Sequence, residues 1–174
     1  MKTTFILPFI LLLLTGCSEI NMEAYQENKP RFELMEYFSG HTKGWGIVQD
    51  RKGVLLRSFI VDIEGEISQG GQLVLHEEFN WSDGEQSART WILSKKDDHK
   101  YVGTAADVIG EADGVLFGNV LNWQYQLDLK VKESNWQITF DDWMFMVADE
   151  TVINRATMSK FGFRVGEVTI VFQK

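Results

Sequence analysis

Arg57, Glu77, Arg89, Asn119, Asp142 and Asn154 fall on the apolar phase of segments in which apolar and polar residues otherwise alternate. Arg57 keeps step with Leu55, Phe59, Val61 and Ile63, Glu77 with Leu73, Leu75, Phe79 and Trp81, and Arg89 with Trp91 and Leu93. Asn119 shares its phase with Leu121, Trp123, Tyr125, Leu127 and Leu129; Asp142 with Trp136, Ile138, Phe140, Met144 and Met146; Asn154 with Val152, Ala156 and Met158. Successive side chains of a strand point to opposite faces, so a single register sets all these polar groups among aromatic and aliphatic walls. An unpaired buried charge is costly, so the two arginines and two carboxylates must pair with one another, or meet a ligand or trapped water. The chemistry they suit is small-molecule recognition. Arg57 and Arg89 would take an anionic head, balanced by Glu77 and Asp142, with Trp91, Trp123, Tyr125, Phe140 and Met144 along the apolar part. Asn119 and Asn154 complete the candidate lining. A self-satisfied polar network with no ligand is the competing reading.

Catalytic arrangements are scarce. His41, His76 and His99 sit in loops or on the polar phase of a strand, and the chain has no Gly-x-Ser-x-Gly elbow, HExxH helix or phosphate-binding loop. Asp141 and Asp142 are strand neighbours and face opposite ways, so they are no dyad. The stretch Asp107 to Gly114, with Asp107, Glu111 and Asp113, does not match the spacing of a calcium loop and reads as a solvated turn. No enzyme, metal site or cofactor is expected.

The elements that must hold these residues are strands. Alternation runs through Gly44–Asp50, Val54–Glu64, Gln72–Trp81, Ser87–Ser94, Tyr101–Thr104, Val115–Lys130, Asn135–Val147, Thr151–Ser159 and Glu167–Gln173. The breaks carry hairpin-like runs such as Asp50-Arg51-Lys52-Gly53, Ser68-Gln69-Gly70-Gly71 and Ser82-Asp83-Gly84-Glu85. Only Arg31–Phe38 and Thr104–Gly110 look helical. Pro30 is the last proline, which suits continuous ladder pairing. The pattern predicts an all-β single domain, an antiparallel up-and-down barrel of about nine strands, because closure removes exposed edges. A two-sheet sandwich is the alternative.

The N-terminus supplies an address. Lys2, the apolar run Phe5 to Leu14 and the sequence Leu14-Thr15-Gly16-Cys17 read as a lipoprotein signal peptide over residues 1–16 ending in a lipobox, with lipidation of Cys17. The apolar run is shorter than the ~20 residues of a spanning helix. Cys17 is the sole cysteine, so neither a thiol nucleophile nor a disulfide remains. Residues 17–30 then form the lipidated cysteine and a polar tether, with a reach of roughly 40 Å when extended, and residues 31–174 the barrel domain. Ser18 follows the cysteine where an aspartate would favour inner-membrane retention, so the expected location is the outer membrane, facing the periplasm. Removal of the signal takes Lys2 and moves the net charge from −8 to −9. Such an acidic domain is repelled by nucleic acid and by anionic lipid head groups. The membrane is therefore met through Cys17.

The segments Phe59-Ile60-Val61-Asp62-Ile63, Asp83-Gly84-Glu85, Tyr101 to Gly110, Gly118-Asn119, Phe140-Asp141-Asp142-Trp143-Met144, Asn154-Arg155-Ala156 and Lys160-Phe161-Gly162 together resemble a bacterial lipoprotein family defined by a domain of unknown function of the DUF3833 type. The resemblance implies a lipocalin-like barrel and a setting beside the modification of membrane fatty acids. It implies no catalytic or binding residues. The expected function is an outer-membrane-anchored lipoprotein that binds or carries a lipid or fatty-acid-like molecule. The alternative is a filled, structural barrel that uses its exterior as an assembly surface, and a lipid-modifying enzyme stands behind both.

Overall fold

The computed structural model describes residues 20–131 and 134–174. The signal segment, the lipobox and Cys17 lie outside the described residues.

The strands are β1 (Gly40–Asp50), β2 (Leu55–Ile67), β3 (Leu73–Trp81), β4 (Gln86–Lys95), β5 (Lys100–Thr104), β6 (Ala112–Phe117), β7 (Val120–Val131), β8 (Ser134–Ala148), β9 (Thr151–Lys160) and β10 (Phe163–Gln173). Each pairs antiparallel with its sequence neighbour, and β1 closes on β10 over Lys43 to Asp50. The result is the expected closed antiparallel up-and-down barrel, with ten strands where alternation marks about nine. The extra strand arises because Val115–Lys130 is interrupted. Gly118 takes φ +54°, a left-handed conformation that glycine adopts without steric penalty, and the chain turns there from β6 into β7.

Of the two segments expected to look helical, one is corrected and the other is narrowed. Thr104–Gly110 forms no helix; it is a turn whose Val108 bridges Leu127 of β7. Arg31–Phe38 holds only the single helical turn α1 (Leu34–Tyr37).

Alternation decides the core, although bulges at Val48/Gln49, Met146/Ala148 and Arg164/Gly166 shift the register locally. Val61, Ile63, Leu73, Leu75, Trp91, Leu93, Leu121, Trp123 and Val152 turn inward and are buried. Glycines on the same inner face make room for the largest of these side chains. The Phe59 ring lies over Gly46, and the Trp123 indole lies over Gly103 and Gly114, where an added Cβ would overlap the ring. Small residues opposite large ones let part of the barrel pack solidly without strain.

One end is plugged by the segment before β1. Phe32, Leu34, Tyr37 and Phe38 are buried there, with Phe38 edge-on to Phe172 at 5.5 Å and to Tyr37 at 4.9 Å. Burying each such side chain contributes roughly 1.5–3 kcal/mol. Backbone bonds pin the plug: Phe32 N–H donates to the Gly118 carbonyl at 2.8 Å, and the Tyr37 hydroxyl donates to the Glu150 carbonyl at 3.2 Å. The 3₁₀ turn Met22–Tyr25 rests on the β6–β7 turn, and the Phe38 carbonyl crosses Gly65. Within the segment expected as a tether, the turn at Tyr25 is in contact with Gly118.

The opposite end is open. Its β1–β2 and β9–β10 loops carry exposed Val54, Leu55, Leu56, Phe161 and Phe163. The Asp50 carboxylate shapes the first of these loops by accepting from the backbone N–H of Lys52 and Val54 at 2.8 and 2.9 Å.

Candidate functional site

A cavity of about 580 Å³ runs inward from the open end to a floor that includes Leu34 and Phe38 of the plug. Small-molecule sites occupy roughly 300–1,000 Å³. Of the expected residues, Arg57, Glu77, Arg89, Trp91, Trp123, Tyr125, Phe140, Asp142, Met144 and Asn154 all line it. Asn119 does not. It sits in the β6–β7 turn, and its amide donates to the Met146 carbonyl at 3.0 Å, tying that turn to β8. The phase that suggested otherwise was read through the Gly118 turn, where alternation has no meaning.

The polar residues are layered by depth. At the rim, Arg57 donates to Asp83 at 2.9 Å and Glu85 at 2.8 Å, with its guanidinium 4.0 Å over the Trp81 ring. It is half-exposed and paired with loop carboxylates, so it does not balance Glu77 or Asp142 as expected. Below the rim, Arg89 pairs with Asp107 at 2.8 Å and stands directly across the β3–β4 ladder from Glu77. Asp107 therefore lies in the cavity wall, not in a solvated turn. Its position follows from the β5–β6 turn, which Val108 ties back to β7.

Deeper still, β7, β8 and β9 bring Tyr125, Asp142 and Asn154 together. The Tyr125 hydroxyl donates to Asp142 Oδ2 at 3.3 Å, and the Asn154 amide approaches the same oxygen at 3.5 Å. Asp142 is 6% exposed and Asn154 1%. Aromatic rings form the wall around this cluster: Trp91 is edge-on to Trp123 at 5.9 Å and to Tyr125 at 5.4 Å, and Tyr125 stacks on Phe140 at 5.1 Å. These rings supply large apolar area in preferred edge and stacked geometries.

Burial dominates the electrostatics. It pushes the Asp142 carboxyl up to about 7, against the lowering pull of the Asn154 and Tyr125 hydrogen bonds, with the neighbouring Asp141 charge adding to the rise. Burial likewise raises Glu77 to about 7; the Arg89 charge opposes this and Asp107 reinforces it. Glu77 keeps some accessible surface, but that surface faces the cavity. Desolvation acts against the Arg89 charge, yet Glu77 and the other nearby acids hold its pKa above the ordinary arginine value. The cavity thus contains one cation below the rim and three carboxyl groups, two of which burial pushes well above the usual carboxylate range. Both arginines expected to hold an anionic head are already engaged by carboxylates.

The histidines play other parts. His99 donates from Nδ1 to the Leu116 carbonyl at 2.8 Å and stacks on Phe117 at 3.9 Å, His76 meets Thr90 on the outside, and His41 lies 3.5 Å from Asp62. Among the described residues, no group of His, Cys, Asp or Glu is arranged to hold a metal ion, and no helix is long and apolar enough to cross a membrane.

Similar barrels are known. A protein of unknown function of the DUF3598 family from Nostoc punctiforme superposes with a TM-score of 0.63 at 12% identity, over 84% of this chain and 50% of that one. This chain therefore spans half the length of that relative. The S-type phycobiliprotein lyase CPES from Guillardia theta superposes with a TM-score of 0.61 at 8% identity, over 82% of this chain and 90% of the lyase. At such identities the likeness is one of fold. No curated protein matches the sequence. Residues 11–174 match the family described as protein of unknown function DUF3833, and the chain belongs to that family.

Proposed function

We propose that this protein binds a lipophilic small molecule, a lipid or fatty-acid-derived compound, inside its barrel, and does so as a lipoprotein held at the outer membrane through Cys17. The observation that carries this reading is the cavity of about 580 Å³, walled by Trp91, Trp123, Tyr125 and Phe140 and closed at one end by Phe38. A packed structural barrel has no reason to keep such a space, because unfilled volume forfeits dispersion contacts and destabilises. Polar groups set within an apolar wall are what orient a small ligand. The lipobox reading places the protein where membrane-derived molecules occur. Fold likeness to a phycobiliprotein lyase is compatible with an occupied barrel and brings no reactive group to this chain.

The test uses protein purified from membranes, extracted and analysed by mass spectrometry, followed by titration of the delipidated form with a brominated fatty acid. Copurified lipid and quenching of Trp91 and Trp123 are expected. Absence of both sinks the proposal.

A second reading, an envelope assembly protein, draws on one outer-face feature. Ile60, Trp45, Val171 and Ile153 stand side by side across β2, β1, β10 and β9, and Trp45 is 44% exposed. Site-specific crosslinking from position 45 in cells would reveal a partner on this row.

A further inference from the structure

We infer that the deep end of the cavity recognises a hydrogen-bond donor, the hydroxyl or amine end of a lipophilic molecule, and discriminates against a carboxylate end. The inference rests on the cavity-binding reading and specifies its chemistry.

The argument is an accounting of hydrogen bonds. Buried polar atoms almost always have partners, and each one left without costs about 1–3 kcal/mol. Three buried oxygens on residues of the cavity wall have none in the protein: Asp142 Oδ1, Asn154 Oδ1 and Asp107 Oδ1. All are acceptors. The one buried donor of the lining in the same condition is Arg57 Nε, at the rim. Asp142 and Asn154 are more than nine-tenths buried, their side chains approach at 3.5 Å through Asn154 Nδ2 and Asp142 Oδ2, and each keeps a second, unpartnered oxygen at the aromatic end of the cavity.

An ionised carboxylate only accepts hydrogen bonds, and here it would meet acceptors and acidic groups. The cation that would attract it, Arg89, already faces Asp107 and Glu77. A hydroxyl or ammonium donates, and it satisfies what Asp142 and Asn154 leave open. Sites built to hydrogen-bond one group reject the analogue that lacks it, because the site's own polar atoms are then stranded.

The experiment measures displacement of the neutral fluorescent probe N-phenyl-1-naphthylamine from delipidated protein at pH 8 by four compounds of equal chain length: dodecanol, dodecylamine, dodecanoate and dodecyl methyl ether. Dodecanol and dodecylamine should bind at least about tenfold more tightly than dodecanoate, and dodecanol about tenfold more tightly than its ether. In Asp142→Asn, which keeps the side-chain shape, the preference over dodecanoate should collapse towards unity. Dodecanoate equal to or tighter than dodecanol overturns the inference, as does an unchanged preference in Asp142→Asn. An ether that binds as well as the alcohol overturns it on wild-type protein alone. Binding of the naphthylamine probe with displacement by none of the four also rejects the inference but leaves cavity binding standing, whereas failure of every compound and the probe to bind removes both.

Discussion

The Tyr125 hydroxyl donates to one oxygen of the Asp142 carboxyl at 3.3 Å, and the other oxygen of that carboxyl is buried and has no partner in the protein. The bond is one of the forces restraining the rise of the Asp142 pKa. Tyr125→Phe should therefore raise that pKa further and cost about 0.5–1.5 kcal/mol of stability. Carboxyl NMR titration and urea unfolding at pH 6 check the two effects.

Stability should fall as pH rises through the neutral range. Asp142 and Glu77 ionise near 3.8 and 4.5 when unfolded but at about 7 in the barrel. Between these values the native state holds protons that the unfolded chain has released, so each unit of pH weakens folding until the native carboxyls have ionised. For Asp142 alone the loss between about pH 4 and pH 8 is on the order of 4 kcal/mol. Thermal melts from pH 5 to pH 8.5 should show a falling Tm for wild type and a visibly shallower fall for Asp142→Asn.

Filling the cavity should abolish binding without destroying the barrel. Ala156 is directly across the ladder from Asp142 and lines the cavity. Ala156→Phe adds a ring to the cavity wall and takes up its volume, so fluorescence titration with a lipophilic probe should lose at least about tenfold in affinity, while far-ultraviolet circular dichroism keeps its strand signature. Undiminished binding in this variant would move the ligand out of the barrel.

The plug should come loose when the β6–β7 turn is altered. An added Cβ at Gly118 would overlap the Tyr25 carbonyl, and the turn's φ of +54° disfavours any other residue. Gly118→Ala should destabilise by about 1–3 kcal/mol, and limited proteolysis should cut preferentially within residues 20–31.

Much of the barrel could be read from alternation because β-strands bury one face, and a polar residue on that face is conspicuous. That is why Glu77, Arg89, Asp142 and Asn154 could be assigned to the interior together. The same signal fails where the chain bends: the phase was carried across Gly118, which merged β6 with β7 and drew Asn119 inward. It also carries no information about partners from loops. Asp107 reaches Arg89, and Asp83 and Glu85 reach Arg57, through turns whose geometry no period encodes. The cavity itself was illegible for a related reason. Its volume is what remains after Trp123 has settled over Gly103 and Gly114 and Phe38 has closed one end, and such three-dimensional complements leave no mark on the spacing of residues.

The plug also gives the molecule a direction. Ile20, the first described residue, leads into the 3₁₀ turn at the sealed end, and Cys17 precedes it by only three positions. Three extended residues reach about 10 Å, far less than the length of the barrel. Attachment at Cys17 would stand the barrel on its closed base like a cup on a table, with Leu55, Leu56, Phe161 and Phe163 around the lip and the lip turned away from the anchoring surface. If the cavity holds a ligand and Cys17 the anchor, as proposed, that ligand would be exchanged with something that approaches from the aqueous side, and not with the leaflet beneath.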